Sequence, residues 1–335
     1  MTPAALATLH QHLVAALSTP PQETRRLFHG RGRCWPGLEQ ITVDWLQGVL
    51  LVALFKPLSD NDLQALIQML LALSASSAWQ QSGAHSLLLQ QRYLVDSPSQ
   101  WLLGEPVELW DIREHGLRYR LDLGKKQNTG LFLDMRHGRQ WVQAQASGKR
   151  VLNLFAYTCG VGLSAAAGGA SEVLNLDFAE GNLAVGRENG QLNPQLRPMQ
   201  FVQSDYFPAI RQLAGLPISA RRGHKLPDYP RLTPRQFDLV LLDPPAWAKS
   251  AFGTVDLLRD YQSLLKPAIL ATADDGVLIC CNNLAKVAMA DWREHVLRCA
   301  EKIGRPVRDC HVLAPASDFP SQDAQPPLKT LILQF

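Results

Sequence analysis

The sequence predicts an α/β protein: a doubly wound, largely parallel sheet preceded by a smaller α/β (α+β) domain. Three observations carry that reading. Residues 149–177 run strand, glycine turn, helix, strand, acid. In that stretch 151–155 is an apolar strand, Gly160 and Gly162 occupy the turn, and 163–167 is helical. Gly168-Gly169 stops the helix, and 173–176 leads into Asp177. From Lys149 onward strands and helices keep alternating, the pattern of a sheet covered on both faces. Finally, successive strands end on Asp177, Asp205 and Asp243, which describes the rim of a ligand cleft better than a core.

The glycine turn narrows the ligand. Glycines admit close backbone approach, and a strand-terminal acid takes both hydroxyls of a ribose. The turn is not G-x-G-x-x-G, and G-x-x-x-x-G-K-[ST] is absent from the chain. A pyrophosphate cradle is therefore unsupported, and an adenosine-type ligand without one fits better. S-adenosylmethionine is the candidate.

The 335 residues suggest about two domains of roughly 150 residues each. With 46% hydrophobic and 19% charged residues a sizeable core is expected. A net charge of +3 is compatible with nucleic acid without demonstrating it. The cysteines (Cys34, Cys159, Cys280, Cys281, Cys299, Cys310) lack C-x-x-C spacing, so neither a zinc site nor a disulfide framework is expected. No signal peptide is read, and apolar runs such as 49–55 fall far short of the ~20 residues that span a bilayer. The expected setting is soluble and cytoplasmic.

In order along the chain, 3–17 spaces Leu6, Leu9, Leu13, Val14 and Leu17 as an amphipathic helix. Arg25, Arg26, Arg31 and Arg33 then read either as a basic loop contacting RNA or as a solvated loop. Residues 41–45 and 49–55 form a hairpin, 60–73 a helix capped by Asp60 or Asn61, and 86–89 a strand. The small domain is expected to end near residue 110. Residues 114–123 make a second hairpin turning at His-Gly, connecting to a domain over 111–335. Asp134 and Arg136, two apart near a helix start, either orient a ligand or form a surface salt bridge.

Beyond Asp177, 182–193 is a helix. The insert 216–236 carries Arg221, Arg222, Lys225, Arg231 and Arg235 against Asp228, and reads as a phosphate-tracking loop or a variable one. Residues 237–243 form a buried strand that Pro244-Pro245 ends abruptly, leaving Asp243 at the rim. Trp247 reads either as a surface for stacking on a base or as simple packing under the loop. Lys249 and Tyr261 follow beside the rim, and 255–270 is expected to be helix. Residues 276–283 make another strand, 292–303 a helix, and 312–313 with 330–335 a closing antiparallel pair.

These residues resemble the class I S-adenosylmethionine-dependent methyltransferases of bacterial large-subunit ribosomal RNA. Thr129-Gly-Leu-Phe-Leu-Asp-Met-Arg136 is similar to that family's T-G-x-F-L-D-x-R, and Asn153-Leu-Phe-Ala-Tyr-Thr158 to its N-x-F-[SA]-Y-T. Gly168-Gly169-Ala170, Asp243-Pro-Pro245 and Asp318-Phe-Pro320 with Leu328-Lys329 resemble its G-G-A, D-P-P and D-x-P…L-K. The resemblance runs from about Gly37 to the C-terminus and implies a seven-stranded Rossmann-like sheet. It implies that Asn153, Phe155, Tyr157, Thr158 and Gly160 line the methionine end of the cofactor. Asp177 would hold the ribose, Asp205 the adenine amine, and Asp134 with Arg136 would close the site. Asp243, Pro244 and Pro245 would be catalytic. The PUA domain of the cytosine-C5 members is not expected here, which leaves 25–33 and 221–235 as candidate RNA contacts.

The target base turns on residues 276–283. Cytosine C5 needs a cysteine thiolate to add to C6 first. Counted without gaps, Asn283 stands where the C5 enzymes place that cysteine. The stretch instead resembles the G-x-x-x-x-S-N-N of the guanine-N7 enzyme, making Asn282 and Asn283 substrate-side candidates with Trp247, Lys249, Arg221 and Arg222. The expected function is methylation of a base of ribosomal RNA, a guanine nitrogen favoured, without a metal. The alternatives are a cytosine-C5 enzyme using Cys281, a small-molecule or protein methyltransferase, and an adaptor without turnover.

Overall fold

The computed structural model describes residues 1–124, 127–218 and 227–335. The chain separates into two compact units, Met1–Leu133 with Ala316–Pro326, and Asp134–Pro315 with Pro327–Phe335.

In the first unit, helix α1 (Pro3–Ser18) starts where the Thr2 hydroxyl accepts the Ala5 N–H, and it buries Ala5, Leu9, Leu13 and Leu17. A five-stranded sheet runs in sequence order: β1 (Arg25–His29), β2 (Ile41–Trp45), β3 (Val49–Leu54), then β4 (Ser86–Gln91) and β5 (Ser99–Leu103). Only β3 and β4 pair in parallel, so they need a crossover, which α2 (Asp60–Ser74) and α3 (Ser77–Ser82) supply. The cap of α2 is Ser59, not Asp60 or Asn61, because its hydroxyl accepts the Asp62 N–H at 3.2 Å. Strands β6 (Leu109–Glu114) and β7 (Leu117–Asp122) form the expected hairpin. His115 and Gly116 take φ of 50° and 76°, the left-handed pair that a two-residue turn requires. This hairpin groups with the first unit, beyond the boundary expected near residue 110.

The basic stretch 25–33 is not a loop. It is β1 and a 3-10 turn, and it seats the segment 316–326. The Arg26 guanidinium bonds both Asp44 oxygens and lies 4.8 Å over the Phe319 ring, while the Arg26 backbone N–H donates to Asp318. Arg33 pairs with Asp323 and Arg31 lies 4.1 Å over Phe55. Gly32 lets Pro320 close in, since a Cβ there would sit 1.7 Å from its carbonyl oxygen. The charges of Arg26 and Arg33 thus have carboxylate partners within their own unit.

The second unit holds α4 (Arg136–Gln145), β8 (Arg150–Leu154), α5 (Gly160–Ala167), β9 (Glu172–Asp177), α6 (Glu180–Gln191), β10 (Gln200–Gln203) and α7 (Tyr206–Leu213). After β11 (Phe237–Leu242) come β12 (Trp247–Lys249), β13 (Thr254–Asp256), α8 (Tyr261–Leu270), β14 (Thr272–Asn282), α9 (Met289–Lys302), β15 (Asp309–Val312) and β16 (Lys329–Gln334). Among the described residues its main sheet has seven strands, ordered β10-β9-β8-β11-β14-β16-β15, with β16 antiparallel to both of its neighbours. One face carries Leu154, Leu176, Leu242 and Cys280 against α7, α8 and α9; the other carries Val151, Val173, Leu241 and Cys281 against α4 and α5. Burial of both faces explains why these strands read as continuous apolar runs. The strand order reverses beside β8, which places the crevice at the carboxyl edge of β8 and its neighbours. Among the described residues no helix is long and apolar enough to cross a membrane.

Candidate active site

The turn leaving β8 is a strained one. Phe155, Tyr157 and Cys159, none of them glycine, take φ of 56°, 50° and 63° at alternate positions. Each such conformation costs about 1–3 kcal/mol and persists only where neighbours hold it. Here the Asp177 carboxylate accepts the Tyr157 N–H at 2.8 Å, Leu176 O accepts the Ala156 N–H at 3.0 Å, and Asn189 donates to Thr158 O at 3.1 Å. The Phe155 ring stacks on Tyr206, centroids 4.7 Å apart, and the buried Tyr206 hydroxyl donates to Leu264 O. Gly160 opens α5 and is buried.

Asn153 lies inside the sheet, where its amide donates to Asn175 Oδ1 at 2.9 Å. It supports the turn through Asn175, against which α5 closes at Gly162; a Cβ there would meet Asn175 Oδ1 at 2.0 Å.

The parallel register brings the three strand-terminal acids to one edge. Asp177 is buried and also accepts the Ala179 N–H at 2.9 Å. Burial raises its carboxyl above the ordinary range, opposed by the bonds from Ala179, Tyr157 and Asn182. One Asp205 oxygen caps α7 by accepting the Phe207 N–H at 2.8 Å. This donor set fits the cofactor, since ribose hydroxyls and an adenine amine are donors and these carboxylates, at the ends of adjacent strands, are acceptors.

Asp134 sits in the 3-10 turn Leu133–Met135, and Arg136 opens α4 with its side chain buried. Burial, then the negative charge of Asp134, pushes the Asp243 carboxyl up to about 7; the Cys281 thiol and the Arg139 charge pull the other way. Asp134, Arg139, Asp243 and Cys281 are thus one electrostatic group. Arg139 was not among the sequence candidates, although it lies three residues past Arg136, on the same helical face. Cys281 is fully buried, its Sγ 3.8 Å from the Thr330 hydroxyl, and burial and Asp243 hold its thiol well above the ordinary range.

Pro244 and Pro245 end β11 as expected, but the helix expected over 255–270 starts only at Tyr261. Before it, β12 and β13 pair as a small hairpin. Asp256 accepts the N–H groups of Leu258 and Arg259, and Asp260 caps α8 through Ser263, which delays the helix to Tyr261. Ala248 and Val255 pack inward, so Trp247, 62% exposed, and Lys249 face out beside Asp243-Pro-Pro. Asn282 ends β14 fully buried, whereas Asn283 is exposed. Arg235 pairs with Glu172 at 2.6 Å, and Arg231 lies against Tyr229. Arg221, Arg222 and Lys225 lie outside the described residues.

The family model for S-adenosylmethionine-dependent methyltransferases matches residues 25–334. A ribosomal RNA large subunit methyltransferase I from Aeromonas salmonicida is 33% identical over 224 residues, covering 66% of this chain and 52% of its own length. A ribosomal RNA large subunit methyltransferase from Deinococcus radiodurans is 29% identical, covering 84% of this chain and 64% of its own. The chain thus spans between half and two thirds of these relatives. A solved Streptococcus mutans structure, assigned as a SAM-dependent methyltransferase, superposes with a TM-score of 0.78 at 20% identity over 99% of this chain and 81% of that one. A second, complexed with SAH, gives 0.77 at 22% identity over 98% and 80%. The glycine turn, the strand-terminal acids and the match across nearly the whole sequence agree: the chain belongs to the S-adenosylmethionine-dependent methyltransferase family.

Proposed function

We propose that this chain methylates a base nitrogen of large-subunit ribosomal RNA, guanine favoured, in the cytoplasm. The names of the similar proteins support the RNA class. The nitrogen rests on one observation, the contrast between Asp243 and Cys281. Carbon methylation at cytosine C5 needs a thiolate, and Cys281 is fully buried with its thiol held protonated. Asp243 instead carries a carboxyl that titrates at about 7, poised to take a proton near neutral pH.

S-adenosylmethionine supplies a methyl group already activated on a sulfonium. Asp177 binds the ribose hydroxyls and Asp205 the adenine amine, while Phe155, Tyr157, Thr158 and Gly160 line the methionine end with Asp134 and Arg136. Asn153 supports that turn through Asn175. The acceptor base leaves its stack to reach the edge at Asp243-Pro244-Pro245, with Trp247 available to stack on it. Asp243 orients an exocyclic amine and accepts the proton it loses; a purine N7 lone pair carries none and needs alignment alone. Lys249, exposed on the same face of the hairpin, would meet phosphate.

The test is nucleoside mass spectrometry of ribosomal RNA from cells with and without the gene. Loss of a single methylguanosine is expected. An unchanged nucleoside profile would overturn the RNA reading in favour of a small-molecule or protein acceptor, or of an adaptor without turnover.

A further inference from the structure

Leu284, just past β14, is held at both of its backbone polar groups by buried side chains. Its N–H donates to Asn282 Oδ1 at 2.9 Å, and its carbonyl accepts from Lys329 Nζ at 2.7 Å. Asn282 and Lys329 are directly paired residues of β14 and β16, with exposures of 0% and 1%. Both are costly to bury there. The ammonium is stripped of water, which lowers the Lys329 pKa, and the buried Asn282 Nδ2 finds no hydrogen-bond partner. Their neighbours on the same face, Cys280 and Leu331, belong to the apolar core. Packing alone thus favours apolar side chains at 282 and 329, whereas the residues present fix one short piece of chain.

That piece lies at the acceptor edge. Leu242 pairs with Cys280, so the chain leaves β14 beside Asp243-Pro-Pro. Asn283 stands exposed between buried Asn282 and Leu284, whose side chain packs on the core. We infer that Lys329 and Asn282 are positioning residues, a clamp on Leu284 that fixes the exposed amide of Asn283 toward the acceptor base. The clamp stands on its own geometry; the identity of the acceptor rests on the function proposed above. Asn283 touches the acceptor, and Lys329 and Asn282 act only through it.

Two readouts on the full chain test this. In Lys329→Met, hydrogen exchange over residues 283–288 is expected to speed up about tenfold or more, while exchange over β11 stays as in wild type. Unchanged exchange would overturn the clamp whatever the acceptor is. Methyl transfer to ribosomal RNA is then compared among Lys329→Met, Asn283→Ala and the double variant. Each single change is expected to lower kcat about tenfold or more with S-adenosylmethionine affinity within about twofold of wild type. The double variant is expected to be no worse than Asn283→Ala, because both changes remove one function. Additive losses would overturn the link to Asn283. Asn282→Ala breaks the other half of the clamp and gives the same cycle if Lys329→Met does not fold. Absence of RNA methylation by wild type would count against the proposed acceptor, and the exchange result would still decide the clamp.

Discussion

The thiol of Cys281 lies against the carboxyl of Asp243, beneath the edge from which two prolines carry the chain out of the sheet. Because Cys281 is fully buried and its thiol is held protonated, it is expected to resist iodoacetamide at pH 7 in the native protein, whereas exposed Cys34 reacts. Peptide mapping of alkylated chain checks this. Alkylation of native Cys281 at the rate of Cys34 would reopen the C5 mechanism.

Asp243 makes stability depend on pH with a definite sign. Its carboxyl is raised from 3.8 to about 7 in the folded chain, so between those values the unfolded chain has lost a proton that the folded one keeps. Stability then falls as pH rises from about 4 to about 7, by at most about 1.4 kcal/mol per unit, and levels off above. His29, pushed down to about 3 by burial, Arg26 and Arg31, slopes the other way, its contribution being lost as pH falls from 6.5 toward 3. The comparison is therefore wild type against Asp243→Asn in denaturant melts at pH 5 and pH 8. The wild-type advantage at pH 5 is expected to shrink or reverse at pH 8.

Asp177 serves both the ligand and the strained turn, since the carboxylate proposed for the ribose also accepts the Tyr157 N–H. Asp177→Ala should weaken S-adenosylmethionine binding about 10- to 100-fold, the worth of hydrogen bonds to a charged group. Calorimetric titration measures it. Affinity within threefold of wild type would remove Asp177 from the cofactor site.

In the first unit, Gly32→Ala would drive a methyl group into the Pro320 carbonyl. We expect a loss of about 1–3 kcal/mol, typical of overpacking, with faster proteolysis within 316–326. Chemical denaturation together with limited proteolysis tests both.

The sheet and its acids were legible because they rest on local pattern. The apolar runs of β8, β9 and β11, the glycines between them and Asp177, Asp205 and Asp243 can all be read without knowing what packs on them. What pattern could not show was pairing over distance. Arg26 and Arg33 looked like free cations because Asp44, Phe319 and Asp323, their partners, lie far along the chain or across a hairpin. The stretch 255–260 has helical composition, but the side chains of Asp256 and Asp260 turn its backbone first. Asn282 and Asn283 read as equal candidates, and only the β14–β16 pairing separates a buried residue from an exposed one. Lys329 was legible as part of a motif, whereas its role depends on Leu284, 45 positions away.

The most direct measurement is transfer of labelled methyl from S-adenosylmethionine to large-subunit ribosomal RNA by wild type, Cys281→Ala and Asp243→Ala, with the labelled nucleoside identified by mass spectrometry. Label in a methylguanosine is expected, with Cys281→Ala within about threefold of wild type and, where the label sits on the exocyclic amine, Asp243→Ala reduced about 100-fold or more. Label in 5-methylcytidine that vanishes in Cys281→Ala would contradict the nitrogen chemistry proposed at Asp243.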